Sequence, residues 1–228
     1  MTEQIHRLYE MDNELYDSLP EFFLEGMHLS AIYPLIHGER RLNEMKAIRW
    51  LEQNKDQVLS PGFFLELYKV LTDGTEALGK GFKEKQNNVQ VAEDAYYITA
   101  SVESTPSEVD RLCRKYRYLS DGDPKDFEDV FKFVLEFICI HPMPDGNGRM
   151  SVLLTEYLLE KMGLKCALLL PFDALQSGPY DRKLSYTIRC CSGVFYGQKP
   201  YNYARYIELM LEMLVRSYEI LKDAVKEA

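Results

Sequence analysis

No stretch of the 228-residue chain holds the roughly 18–20 consecutive apolar residues that a helix needs to cross a bilayer, so no membrane span is expected. The first thirty residues contain acids throughout and do not read as a signal peptide, so a cytoplasmic protein is expected. Basic residues are in deficit, 27 against 36 acids, for a formal net charge of −9. That argues against sequence-independent nucleic-acid binding, which needs clustered Lys and Arg facing phosphates. It leaves room for one small phosphate ligand in a local positive pocket. Cysteine is sparse: five residues, an odd number, with no C-x-x-C spacing, which speaks against a disulfide framework or a structural zinc site. Cys113, Cys139 and Cys166 read as buried small hydrophobes, and so do the adjacent Cys190 and Cys191, which lack a second Cys/His cluster. Internal repeats, low-complexity tracts and Pro/Gly/Ser-rich linkers are absent.

What is present is helical periodicity. Leu42, Met45, Ile48 and Leu51 recur at spacings of three, and Phe64, Leu67, Tyr68 and Leu71 mark a second helix. The strongest pattern runs through "DPKDFEDVFKFVLEFICI", where Phe127, Val130, Phe131, Val134, Leu135 and Ile138 line one face. Asp123 before Pro124 supplies an N-cap and an N1 proline for it. Leu153, Leu154, Tyr157 and Leu158 resume the spacing, with Gly163 as a stop, and the C-terminal segment from 201 reads as one long helix. Only "NVQVAEDAYYITASVES", about 88–103, alternates enough for a hairpin. The expected fold is mostly α, with one small β feature.

Between the two apolar helices lies "HPMPDGNGR", residues 141–149, richer in chemistry than a connector needs. Gly146, Asn147 and Gly148 tolerate positive φ, so successive N–H groups can converge into an anion-binding nest at the start of the next helix. Arg149, in that helix's first turn, opposes the dipole unless it faces a bound anion, which it can grip bidentately. Asp145 suits a lone carboxylate ligand for Mg²⁺, which takes its other oxygens from water and phosphates. His141 can titrate near neutral pH and suits a general base toward a hydroxyl. Together these are the parts for transfer at a phosphorus centre.

The order of these residues resembles the signature of Fic-domain proteins, H-x-F-x-[DE]-G-N-G-R-x-x-R, in "HPMPDGNGRMSV". Further segments are similar to the family: "LGKGFKEKQNNVQV" to G-x-x-R-x-x-x-V, with Lys83 at the arginine, "PYDRKLSYTI" to Y-Y-x-A-L, and "KPYNYARYIELML" to the closing helix. The resemblance implies a Fic-fold helical bundle with a β-hairpin flap over 51–220, a helical extension over 1–50 and a tail over 221–228. It implies AMP transfer from MgATP to a Ser, Thr or Tyr hydroxyl of a target protein yet to be identified. In that scheme His141 is the base and Asp145 holds Mg²⁺. Gly146, Asn147, Gly148 and Arg149 bind the nucleotide phosphates, Tyr180 is a further nucleotide-binding residue near the base, and Tyr96, Tyr97 and Ile98 form the flap that pairs with the target backbone.

Three departures stand out. Met143 replaces Phe, a mild swap. Lys83 keeps the charge of the arginine and loses its fork. Val152 replaces the second arginine of R-x-x-R, the residue that in the family faces the γ-phosphate and pairs with an inhibitory glutamate. "EFFLEGMHLS" resembles the family's inhibitory segment, with Glu25 and Gly26 at its E-G; Glu25 then lacks its usual partner. Three alternatives therefore stay open: a nucleotide-binding regulatory module with weak or no catalysis, a variant moving UMP, phosphate or phosphocholine, and one removing AMP. A homo-oligomer is left open as well.

Overall fold

The computed structural model describes residues 3–19, 42–76, 81–92, 95–167 and 203–227. Its elements are α1 (Glu3–Ser18), α2 (Leu42–Gln53), α3 (Pro61–Leu71), β1 (Val89–Ala92), β2 (Ala95–Tyr97), α4 (Thr105–Lys115), α5 (Phe127–Ile140), α6 (Asn147–Lys161) and α7 (Tyr203–Glu227). Helix α5 is the centre: eleven of its 14 residues are buried, so it serves as a core helix with neighbours on several sides. It packs against α4, α6 and α7, while α2 lies on α3 and α6, and α1 lies on α7. Phe64, Phe133 and Phe137 meet at the α3–α5 contact, with ring centroids 5.5–6.1 Å apart.

Local signals set the helix ends. The Ser60 hydroxyl accepts from the Phe63 amide at 3.1 Å with Pro61 at the first helical position, which starts α3. Asp123 caps a short 3₁₀ turn, Pro124–Asp126, and α5 begins only at Phe127, so the cap acts one turn earlier than expected. Helix α6 stops at Gly163 with φ +96°: the Gly163 amide donates to the Glu160 carbonyl and Leu164 to Leu159, the paired bonds of a Schellman motif. Between α4 and α5 a 3₁₀ turn, Arg117–Asp121, ends at Gly122.

One apolar spacing misleads. Leu42 and Leu51 are nine residues apart, about two and a half helical turns, so they fall on opposite sides of α2. Leu51 is buried, Leu42 is 62% exposed, and the buried face is Glu44, Ala47, Ile48 and Leu51.

The expected hairpin forms, with β1 and β2 antiparallel in the register Val89↔Tyr97 and Gln90↔Tyr96 and an irregularity before Ala92. Cys113, Cys139 and Cys166 are free and buried. Among the described residues no helix is long and apolar enough to cross a membrane.

Two buried carboxylates tie distant elements together. Glu136, in the middle of α5, accepts at Oε1 from Lys115 Nζ (2.6 Å) and from the Tyr116 and Tyr203 hydroxyls (2.7 Å each), with Arg111 3.3 Å from Oε2. Burial pushes this carboxyl up, and the Lys115 ammonium with the two phenols outweighs it, leaving it below the usual range. Asp12 of α1 accepts from the Lys165 and Cys166 amides at 2.8 and 2.7 Å and from the Tyr218 hydroxyl of α7 at 2.8 Å. Tyr9 adds a 2.6 Å bond to the Met162 carbonyl, so α1 is fastened to the end of α6 and to α7.

Candidate active site

The bend between α5 and α6 is built by the residues that break the helix. His141 closes α5 in the left-handed region (φ 52°, ψ 59°), and its amide still donates to the Phe137 carbonyl at 3.0 Å. A non-glycine residue there costs roughly 1–3 kcal/mol and persists only where its surroundings over-determine it. They do. Lys83 Nζ donates to the Ile140 carbonyl (3.1 Å) and the Lys83 amide to the Pro142 carbonyl (2.8 Å). Asn87 Nδ2 donates to the Met143 carbonyl (2.7 Å) and, more weakly, to that of His141 (3.4 Å). Pro142 and Met143 are buried beneath the bend and anchor it.

On the far side, Gly146 adopts φ +73° as the N-cap of α6. It is the one member of Gly-Asn-Gly that uses positive φ; Asn147 and Gly148 are already the first residues of the helix. Their amides, and that of Arg149, have no acceptor among the described residues, the ordinary state of a helix start and one that suits an anion. The Asn147 side chain turns inward: Oδ1 accepts from the Met143 amide at 2.9 Å and Nδ2 donates to its carbonyl at 2.8 Å. It holds the loop's shape and leaves only its backbone for a ligand, which corrects the reading of Asn147 as part of a positive-φ nest. Gly148 is exposed, and a Cβ placed on it would meet nothing within 4 Å.

The charged residues face solvent. The Asp145 side chain is 82% exposed, and Arg149 Nη2 approaches its Oδ2 at 3.6 Å, folded back over Gly146. The described residues hold no group of three or more His, Cys, Asp or Glu able to cage a metal. An exposed carboxylate beside a helix N-terminus fits Mg²⁺ arriving with a polyphosphate, which brings most of its own ligands.

His141 is partly buried, and burial lowers its pKa to about 4, with Lys83 lowering it further and the Ile138 carbonyl and Asp145 opposing. The imidazole is therefore in its neutral form through the physiological range, the form a proton acceptor needs, and burial keeps it from titrating near neutrality as its residue type had indicated. Tyr97 is buried, with its hydroxyl 3.4 Å from His141 Nδ1. Its side chain thus packs beside the imidazole, and Ile98, 55% exposed, is the residue just past β2 that faces outward. Tyr96 pairs with Gln90 through its backbone. Val152 is half-buried against the core and brings no polar group to the site. Glu25, Tyr180, Cys190 and Cys191 lie outside the described residues.

Lys83 and Asn87 are the site's supporting residues that local reading missed as such. Lys83 is only 3% exposed, and its ammonium uses all three hydrogens, on Ile140 O, Asn87 Oδ1 (3.0 Å) and Thr99 Oγ1 (2.9 Å). Burial lowers its pKa to about 8. The lysine-for-arginine change was legible in the sequence; its burial was not.

These features define a helical protein whose bend sets a strained, neutral histidine beside a helix start whose first amides have no acceptor among the described residues. Residues 58–159 match the model of the Fic/DOC family, so the chain carries a Fic domain across that span. Solved structures agree in fold. A Fic-domain-containing signaling protein of Bacteroides thetaiotaomicron aligns with TM-score 0.69 at 20% identity, covering 99% of this chain and 97% of that one. A Fic family protein of Desulfovibrio desulfuricans gives 0.53 at 18%, covering 100% of this chain and 74% of that one. Fic-1 of C. elegans gives 0.60 at 14%, covering 99% and 72%. No curated protein matches the chain. A Fic domain supports a Fic-type transferase as the general class.

Proposed function

We propose that the protein transfers AMP from MgATP to a Ser, Thr or Tyr hydroxyl of a target protein. The observation that carries the reading is the pairing, within nine residues, of a neutral His141 held in a left-handed bend with three amides at the start of α6 that have no acceptor among the described residues. His141 accepts the proton of the target hydroxyl. The hydroxyl oxygen then bonds to the α-phosphorus as the bond from that phosphorus to the oxygen bridging to the β-phosphate breaks, and pyrophosphate leaves with the electron pair. The amides of Asn147, Gly148 and Arg149 receive phosphate oxygens, with charge developing where the helix dipole favours it. The Arg149 guanidinium swings from Asp145 to the phosphates. Asp145 is the residue that would hold Mg²⁺, which when bound neutralises phosphate charge. Residues Tyr96–Ile98 offer a strand edge that orients the target peptide. Tyr180 belongs near the base in this scheme.

The test is incubation with labelled ATP, Mg²⁺ and a lysate, followed by intact-mass analysis of labelled proteins. His141→Ala should label nothing; labelling equal to the parent defeats the mechanism. Val152 favours a second reading, because an apolar side chain stands where the γ-phosphate would need a cation. In that reading the site binds nucleotide as a regulatory module, or takes another donor and moves UMP, phosphate or phosphocholine, or removes AMP. Calorimetry showing ATP or ADP binding without turnover supports the module. Parallel reactions with UTP, GTP and CDP-choline separate the donors. If the segment around Glu25 docks on the site, it does so without a cation at position 152.

A further inference from the structure

We propose that Lys83 and Asn87 act together as positioning residues for the base, clamping the backbone on both sides of His141 so that its left-handed conformation and ring direction are fixed before any nucleotide arrives. The inference rests on the proposed role of His141 and adds residues 54 to 58 positions away in sequence.

Four consecutive carbonyls are involved. Lys83 holds that of Ile140 through Nζ and that of Pro142 through its own amide. Asn87 reaches those of His141 and Met143 with one amide group, at 3.4 and 2.7 Å. The two clamps are also joined to each other, since Asn87 Oδ1 accepts from Lys83 Nζ at 3.0 Å. Thr99, just past the flap strand β2, accepts the third ammonium hydrogen at 2.9 Å. The peptide that carries the base, the segment before the hairpin and the hairpin's exit are therefore one hydrogen-bonded unit.

The choice of a lysine is informative. A buried cation with no carboxylate on it among the described residues is costly, and an apolar side chain of similar length would pack there at less expense. What the ammonium supplies is three donors diverging from a single nitrogen toward three acceptors on different segments. It also stands at the C-terminal end of α5, where the helix dipole favours a positive charge. The planar fork of an arginine does not reproduce that arrangement. A group spent wholly on backbone and neutral acceptors is not available to phosphate, so its contribution is geometric. Misplacing a base by about 1 Å costs about a hundredfold in rate.

The test uses the full chain with Lys83→Met and, separately, Asn87→Ala, which keeps the ammonium. Three readouts are taken: MgADP affinity by calorimetry, kcat and KM with ATP, and the His141 imidazole signals by NMR. The groups facing that ring are Tyr97 from β2, Lys83, the Ile138 carbonyl of α5 and Asp145. Both variants are expected to bind MgADP within about threefold of the parent. Their kcat should fall about a hundredfold with KM little changed, and the single His141 signal should broaden or split. Lys83→Arg should recover only part of kcat. Parent-like kcat and an unaltered His141 signal in both variants overturn the clamp. So does a parallel loss of MgADP affinity and melting temperature, which would make the pair merely part of the fold. Should the parent itself transfer no group, the transfer reading falls, and the His141 signal in Asn87→Ala still decides the clamp.

Discussion

Replacing Gly148 by alanine adds one methyl group at the second residue of α6. In the ligand-free protein that methyl meets nothing within 4 Å, and the glycine does not use positive φ, so neither clash nor backbone strain opposes it. Alanine in a helix is favoured over glycine by up to about 1 kcal/mol, less in the first turn, so about 0.5 kcal/mol of stabilisation is expected. For a chain of this size that corresponds to a rise in melting temperature of about 1–2 °C. Binding should respond in the opposite direction. The Cα–Cβ bond of a helical residue tilts toward the helix N-terminus, which is where a phosphate resting on the amides of Asn147, Gly148 and Arg149 would lie. A phosphate seated on three adjacent amides would also rest its remaining oxygens against the Gly148 Cα, where the added methyl stands, and the loss should be at least about tenfold, or 1.4 kcal/mol. Thermal denaturation and calorimetry with MgADP on the same preparation measure both quantities. A variant that melts like the parent and binds MgADP as tightly refutes the placement of phosphate on this helix start.

Three further outcomes follow from the geometry. Asp12→Ala leaves two backbone amides and the Tyr218 hydroxyl without their acceptor; at about 1–3 kcal/mol per buried donor, partly relieved by water at Lys165, a loss of about 3–5 kcal/mol is expected. A melting temperature within 1–2 °C of the parent would contradict it. The His141 imidazole should titrate near pH 4 in the ligand-free protein. Because the unfolded chain takes up that proton near 6.5 and the folded one only near 4, this group makes stability fall as pH drops through that window. NMR titration with a midpoint near 6.5 would remove the basis for both statements. Val152→Arg puts a cation at a half-buried position of α6 and is expected to tighten ATP relative to AMP by about tenfold, an effect of charge on phosphate that should shrink with added salt. Equal affinities before and after would show that the γ-phosphate does not reach position 152.

Much of this was legible because it was local. The period of α5 runs unbroken from Phe127 to Ile138, and the candidate site is nearly contiguous from His141 to Arg149, so residue types alone indicated both. The sequence was less informative wherever one turn of helix or one long-range contact decided the outcome. Leu42 matches the apolar spacing of its helix and still points outward, because steps of three fall short of a full turn. Asn147 could be read as a ligand residue, and only the folded loop shows its amide group spent on Met143. Lys83 and Asn87 reach the bend across more than fifty residues, and Asp12 reaches Tyr218 across 206. Glu136 was an acid in an apolar helix with no indication that Lys115, Tyr116 and Tyr203 would converge on it. Pairings of that kind depend on which helices become neighbours, and no spacing rule encodes this.

The fastening of α1 to the segment after α6 and to α7 has a practical consequence for anyone who would excise the span 58–159 as a minimal catalytic fragment. Such a cut discards α7, which packs on α5, and α1, whose Tyr9 ring lies 6.0 Å from that of Phe127, and it leaves the Glu136 carboxylate without its Tyr203 partner. The truncated piece would present a bare apolar wall to water and should be recovered from inclusion bodies, so a silent assay on it would report a broken scaffold and say nothing about chemistry.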